Sequence, residues 1–125
     1  MERKSGSDFH VNLVDMEGKS ADGIADYMNT IGLSEVLTGR DSNLDRGNLY
    51  CGITNDIERR MKEHTDNDFQ IEGNRIFACK CDNTEIAKEV ERLMSNKNYD
   101  TGRNPKAGGC DDSVYVYLFK KVINY

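Results

Sequence analysis

The sequence predicts an α/β (α+β) fold in one domain spanning residues 1–125. Two observations carry this. Segments whose apolar residues alternate, or form short β-branched and aromatic runs, take turns along the chain with segments whose apolar residues recur at helical spacing. A chain of 125 residues is also the length of one ordinary domain with a modest core.

The elements follow in order. Residues 1–7 (Met-Glu-Arg-Lys-Ser-Gly-Ser) are polar and are expected to be loose. Phe9 to Asp15 alternates and reads as a strand ending near Gly18. Ile24, Tyr27, Met28 and Ile31 repeat at helical spacing, which predicts a helix over Ala21–Ile31 with Ser20 as its N-cap and Gly32 as its stop. Residues 33–46 have no clear period, and turn-formers gather at Gly39 to Asn43. Asn48 to Thr54 reads as a strand. A helix follows it, with Asn55 as cap and Glu58 reaching back.

Thr65 to Gly73 reads as a loop and Asn74 to Cys81 as a strand. Asp82 with Glu85 makes a capping-box pattern before the stripe Ile86, Ala87, Val90, Leu93 and Met94. Tyr99 to Cys110 is a glycine-containing loop around Pro105, and Val114 to Phe119 is the clearest strand in the chain.

Composition narrows the function classes. No run is long and apolar enough for a membrane span, and the first residues lack an apolar signal segment, so a cytoplasmic protein without a membrane partner is expected. Cys51, Cys79, Cys81 and Cys110 fit no zinc spacing and read as reduced thiols. A net charge of −5 argues against a broad phosphate-binding surface. It leaves room for a local site, because the acidic excess lies mostly before Gly47.

The run Gly47 to His64 carries the functional information. Ile57, Arg60, Met61 and His64 sit at i, i+3, i+4 and i+7, so all four share one helix face. Two of them are apolar and belong on a core. Arg60 and His64 have no place there unless something on that face needs them. Arg59, Lys62 and Glu63 fall elsewhere on the helix and read as solvated charges.

This run resembles the second half of the GIY-YIG endonuclease signature. Tyr50-Cys51-Gly52 stands for the Tyr-(Ile/Val)-Gly part, Arg60 follows ten residues after Tyr50, and His64 four after that. A later helix in the family carries a glutamate in the context Ala-x-x-x-Glu. Ala87 to Met94 fits that context, with Glu91 in the glutamate place. The resemblance implies a small, mostly antiparallel central sheet flanked by helices, and metal-dependent hydrolysis of phosphodiester bonds in DNA. It implies Tyr50, Arg60, His64 and Glu91 as catalytic residues, with Glu91 holding Mg²⁺ or Mn²⁺. Arg60 would stabilise charge on the phosphate, and Tyr50, near His64, would help position or deprotonate the attacking water. Arg59 is a candidate substrate contact. So is Asn104, for an asparagine that the family often places after the glutamate helix, with Asn98 in reserve.

The first half of the signature is where the chain departs from the family. The position expected for its tyrosine is Arg40, in a turn-like stretch. Two strands can stand in. The reading favoured by simple topology takes Phe9 to Asp15 as the first strand, with Asn12 in the tyrosine place and residues 19–46 as a helix-bearing insertion in a normally tight hairpin. The other takes Val114 to Leu118 as the family's opening strand, displaced by permutation, so that Tyr115 or Tyr117 brings a hydroxyl to the site. The missing tyrosine and the acidic balance also admit an alternative function: an inactive module of the same fold that binds nucleic acid or a protein partner.

Overall fold

A computed structural model of the protein describes residues 9–36, 48–67, 71, 75–101 and 113–121. In chain order the elements are β1 (His10–Asp15), α1 (Ala21–Tyr27), a π-helical turn (Met28–Gly32), α2 (Leu33–Val36), β2 (Leu49–Thr54), α3 (Ile57–Asn67), β3 (Arg75–Lys80), α4 (Thr84–Asn96) and β4 (Tyr115–Lys120). Residues 1–7, 37–46 and most of the loop around Pro105 lie outside the described residues.

The four strands form one mixed sheet in the order β1-β3-β4-β2. β1 runs parallel to β3, whereas β4 is antiparallel to both β3 and β2. The expected class is therefore present, with helices on both faces of the sheet. The expected pairing of β1 with β2 is not. β1 lies at one edge and β2 at the other, separated by two strands. Residues 19–46 consequently do not close a hairpin between paired strands. Neighbourhood along the chain gave way to burial: as a partner for β2, β4 is buried through Val116–Phe119, whereas Leu13 of β1 is 49% exposed.

Strand alternation sorts the core into two layers. Leu49, Cys51, Ile53, Phe77, Cys79, Val116 and Leu118 face α1, α2 and α4, and pack on Ile24, Met28, Val36, Ala87, Val90 and Met94. Tyr50, Ile76, Ala78, Tyr117 and Phe119 point to the opposite face and pack on Ile57 and Met61 of α3. The thiols of Cys51, Cys79 and Cys81 are free and buried in the first layer. Burial pushes Cys79 up to about 12 and Cys81 to about 11, which leaves both inert as nucleophiles at neutral pH.

Several boundaries shift for local reasons. The α3 cap is one residue later than Asn55: Asp56 Oδ1 accepts from Arg59 N at 3.2 Å, and Thr54 Oγ1 accepts from Asp56 N at 3.1 Å. Asn55 instead accepts from Arg59 Nη2. The α4 cap is Asn83, whose side chain accepts from Ile86 N at 2.9 Å, not Asp82, whose carboxylate takes the Gly18 N–H. The helix α3 also runs three residues, Thr65 to Asn67, into the stretch that reads as loop.

Gly32 is not a stop. The helical rod runs through it by way of the π turn and into α2. The absent side chain serves packing instead, since a Cβ there would lie 2.7 Å from Phe77 Cδ2. Gly32→Ala should therefore destabilise the protein by about 1–3 kcal/mol despite the better helix propensity of alanine. Urea denaturation measures this, and a neutral or stabilising result would show that the Phe77 ring can yield.

Candidate active site

The site grows from β2, β4 and α3. Pairing of β2 with β4 sets Gly52 opposite Tyr117 and Tyr50 opposite Phe119. By alternation Tyr50, Tyr117 and Phe119 project from the same face, towards α3. Their rings stack: Tyr117 on Phe119 at 6.1 Å with 2° between planes, and Tyr50 on Phe119 at 5.5 Å with 21°. Into this cup α3 inserts His64, edge-on to all three rings, 4.8 Å from Tyr50, 5.7 Å from Tyr117 and 5.3 Å from Phe119.

His64 is fully buried, and its Nε2 lies 2.7 Å from the Tyr117 hydroxyl. Burial pushes the Tyr117 phenol well above its usual value, so it keeps its proton. The imidazole tautomer sets which of the two donates in this bond.

Gly52 makes this contact possible. A Cβ there would fall 2.5 Å from the Tyr117 hydroxyl oxygen and 3.1 Å from Tyr50 Cε1. The glycine of Tyr50-Cys51-Gly52 is thus the floor on which the phenol of the opposite strand rests.

One turn before His64, Arg60 presents its guanidinium to both phenols. It favours the ionised form of Tyr50 and of Tyr117, by charge and by hydrogen bonding. Burial draws its own pKa down, but the Tyr117 phenol and the Glu63 carboxylate raise it further, so the cation is secure. Arg60 Nη1 donates to Glu63 Oε1 at 3.0 Å. Among the described residues, Arg60 Nε is buried and has no hydrogen-bond partner. A buried N–H without an acceptor is costly.

Tyr50 is raised above its ordinary value by burial, against the pull of Arg60 and with help from Glu91 and Asp100. Glu91, on α4, is thereby placed within electrostatic range of Tyr50. Its own carboxyl is pushed up to about 7 by burial.

The sequence-predicted residues divide accordingly. Tyr50, Arg60, His64 and Tyr117 form one contiguous cluster, and Glu91 borders it. Tyr117 lies behind Tyr50 without exposed surface, so a substrate contact is corrected to a supporting place. Asn12 is corrected outright: it sits on β1 at the far edge of the sheet, where Nδ2 donates to Glu35 at 3.1 Å. The strand beside β2 is β4, so the displaced-strand reading is the one the topology matches. Arg59 stands on the outer face of α3, bonded to Glu63 and Asn55. Asn98 turns the chain after α4 with a φ of 77° and donates to Ser95 O. Asn104 lies outside the described residues.

Sequence reasoning missed Phe119, Glu63 and Asp100. The spacing of Glu63, three after Arg60 and four after Arg59, could have shown its bridging role. Nothing local marks Asp100.

The described residues contain no group of three or more His, Cys, Asp or Glu side chains able to hold a metal ion. A divalent cation here would rest on Glu91, with water and substrate oxygens completing its shell. That arrangement suits Mg²⁺, which commonly keeps most of its waters beside one carboxylate and a phosphate. A half-buried carboxyl raised by desolvation alone fits such a ligand, because bound cation would supply the charge that burial withholds. Among the described residues no helix is long and apolar enough to cross a membrane.

A family model described as the GIY-YIG catalytic domain matches residues 41–104, just over half of the chain. The match takes in β2, α3, β3 and α4, and with them Tyr50, Arg60, His64 and Glu91, but neither β1 nor β4. No curated protein and no solved structure matches the chain.

Proposed function

The chain belongs to the GIY-YIG family, and from that premise we propose that it is a metal-dependent endonuclease that hydrolyses phosphodiester bonds in DNA. The family match points to nuclease activity and a nucleic-acid substrate in general. The finer reading is supported above all by Arg60, whose buried Nε–H has no partner among the described residues. A non-bridging phosphate oxygen is the acceptor that would satisfy it, and a fixed guanidinium would then stabilise the charge that develops there.

The other residues take roles that the geometry permits. Tyr50 positions the attacking water through its hydroxyl, which burial keeps protonated against the pull of Arg60. Tyr117 and His64 hold the Tyr50 ring from behind through the stack and their 2.7 Å hydrogen bond. Glu91 holds the divalent cation, Mg²⁺ or Mn²⁺, which polarises the scissile phosphate when bound. Arg59, being exposed, is the candidate for a flanking phosphate.

Nicking of supercoiled plasmid with Mg²⁺ or Mn²⁺ tests this. The wild type should nick, and Arg60→Ala should lose about 10²–10³-fold in rate with its fold intact by circular dichroism. An unchanged rate would remove Arg60 from the site. A wild type that retards DNA on a gel but never cuts would establish the inactive binding module instead.

A further inference from the structure

β2 is the outer strand of the sheet, yet it is gripped on both sides around Tyr50. On the inner side β4 pairs with it, and Lys121, just past β4, donates its N–H to Asn48 O at 3.0 Å. On the outer side, among the described residues, Asp100 from the turn after α4 does the work. Asp100 N–H donates to Leu49 O at 3.0 Å, and Cys51 N–H donates to Asp100 O at 2.9 Å, a parallel bridge centred on Tyr50. The two grips are joined, because Lys121 Nζ lies 2.7 Å from Asp100 Oδ2. The ion pair therefore spans β2 from one flank to the other.

We propose that the Asp100–Lys121 pair is a positioning strap that holds the helix bearing Glu91 in register with Tyr50. The proposal rests on the nuclease reading for its catalytic consequence. The chain path supplies the mechanical link. α4 ends at Asn96, the backbone turns at Asn98, and Tyr99 anchors to Asn29 Oδ1 at 2.6 Å. Asp100 follows at once, so fixing Asp100 to β2 fixes the end of α4 to the strand that carries Tyr50. The pair is only 19% and 32% exposed at Lys121 and Asp100, so solvent and salt screen it less than an open surface pair.

The test uses Lys121→Met, which keeps the aliphatic stem, Asp100→Asn, which keeps both backbone hydrogen bonds, and Lys121→Arg, which keeps charge and reach. Each is first shown to be folded by circular dichroism. In plasmid nicking the first two should lower kcat about 10-fold with little change in KM, since a small misplacement of reacting groups is costly. Lys121→Arg should recover most of the loss. Independently of activity, amide hydrogen exchange at Cys51 should speed about 10-fold in Lys121→Met and return towards wild type in Lys121→Arg. Wild-type exchange at Cys51 in Lys121→Met overturns the strap. A cutting wild type with equally active variants overturns its catalytic consequence alone. If the wild type does not cut, the nuclease reading fails, and exchange at Cys51 decides the strap.

Discussion

Glu91→Gln is expected to abolish cleavage, by about 10³-fold or more, and at the same time to raise the melting temperature of the metal-free protein at pH 8. Both effects have one cause. Burial raises the Glu91 carboxyl from 4.5 to about 7. Below pH 4.5 the group is neutral in the folded and the unfolded chain, and its titration costs nothing. Between 4.5 and 7 the unfolded chain ionises first, so stability falls as pH rises. Above 7 the penalty is constant. Discounted for the part that solvent still screens, it is about 2 kcal/mol, or about 8 °C in melting temperature. Glutamine never ionises, so the variant should match the wild type at pH 4 and exceed it at pH 8. Mn²⁺ should raise the melting temperature of the wild type at pH 8 and leave the variant unmoved, because only an ionised carboxylate binds the cation well. By the same reasoning cleavage should rise with pH through about 7 at subsaturating metal. A scanning calorimeter and a nicking assay decide the matter together. Wild-type cleavage in Glu91→Gln, or equal melting temperatures at pH 8, would remove Glu91 from its assigned place.

Among the described glycines, Gly52→Ala should be the most damaging added methyl. Its Cβ would lie 2.5 Å from the Tyr117 hydroxyl oxygen and 2.8 Å from Cζ of the same ring. Tyr117 cannot retreat, since it is fully buried, stacked on Phe119 and bonded to His64. Either the phenol leaves His64 or the β2–β4 pairing opens, and each route costs about 3 kcal/mol or more. Cleavage should fall about 100-fold even in the molecules that remain folded, because Tyr50 rests in the same stack. Chemical denaturation and single-turnover nicking separate the two losses. A Gly52→Ala protein with wild-type stability would show that the ring cluster is looser than its contacts indicate.

What the sequence disclosed, and what it hid, divides along the range of the interactions. The α3 face was legible because one period places Ile57, Arg60, Met61 and His64, and all but the half-buried Arg60 are buried. β4 was legible as a strand from its β-branched and aromatic run. Its partner was not, because alternation says which face a residue takes and nothing about which strand lies alongside. Caps were misplaced by a single residue at Asn55 and Asp82, where several side chains compete for the same N–H groups. Gly32 has the composition of a stop, and only the Phe77 ring, more than forty residues away, shows that it marks a close approach. Asp100 has no local signal at all, since its importance lies in the strand that it happens to border.

The central place of β4 has a consequence for how the chain comes to fold. β2 and β3 make no hydrogen bonds with each other in the sheet; each pairs with β4. During synthesis both emerge from the ribosome before the strand that joins them, and at about 5–20 residues per second they wait several seconds with their inner edges open. Their apolar faces are then available to chaperones, or to one another in the wrong register. A message truncated anywhere before Tyr115 would yield a product without the middle of its sheet and without the phenol beneath Tyr50, so incomplete translation yields no assembled site.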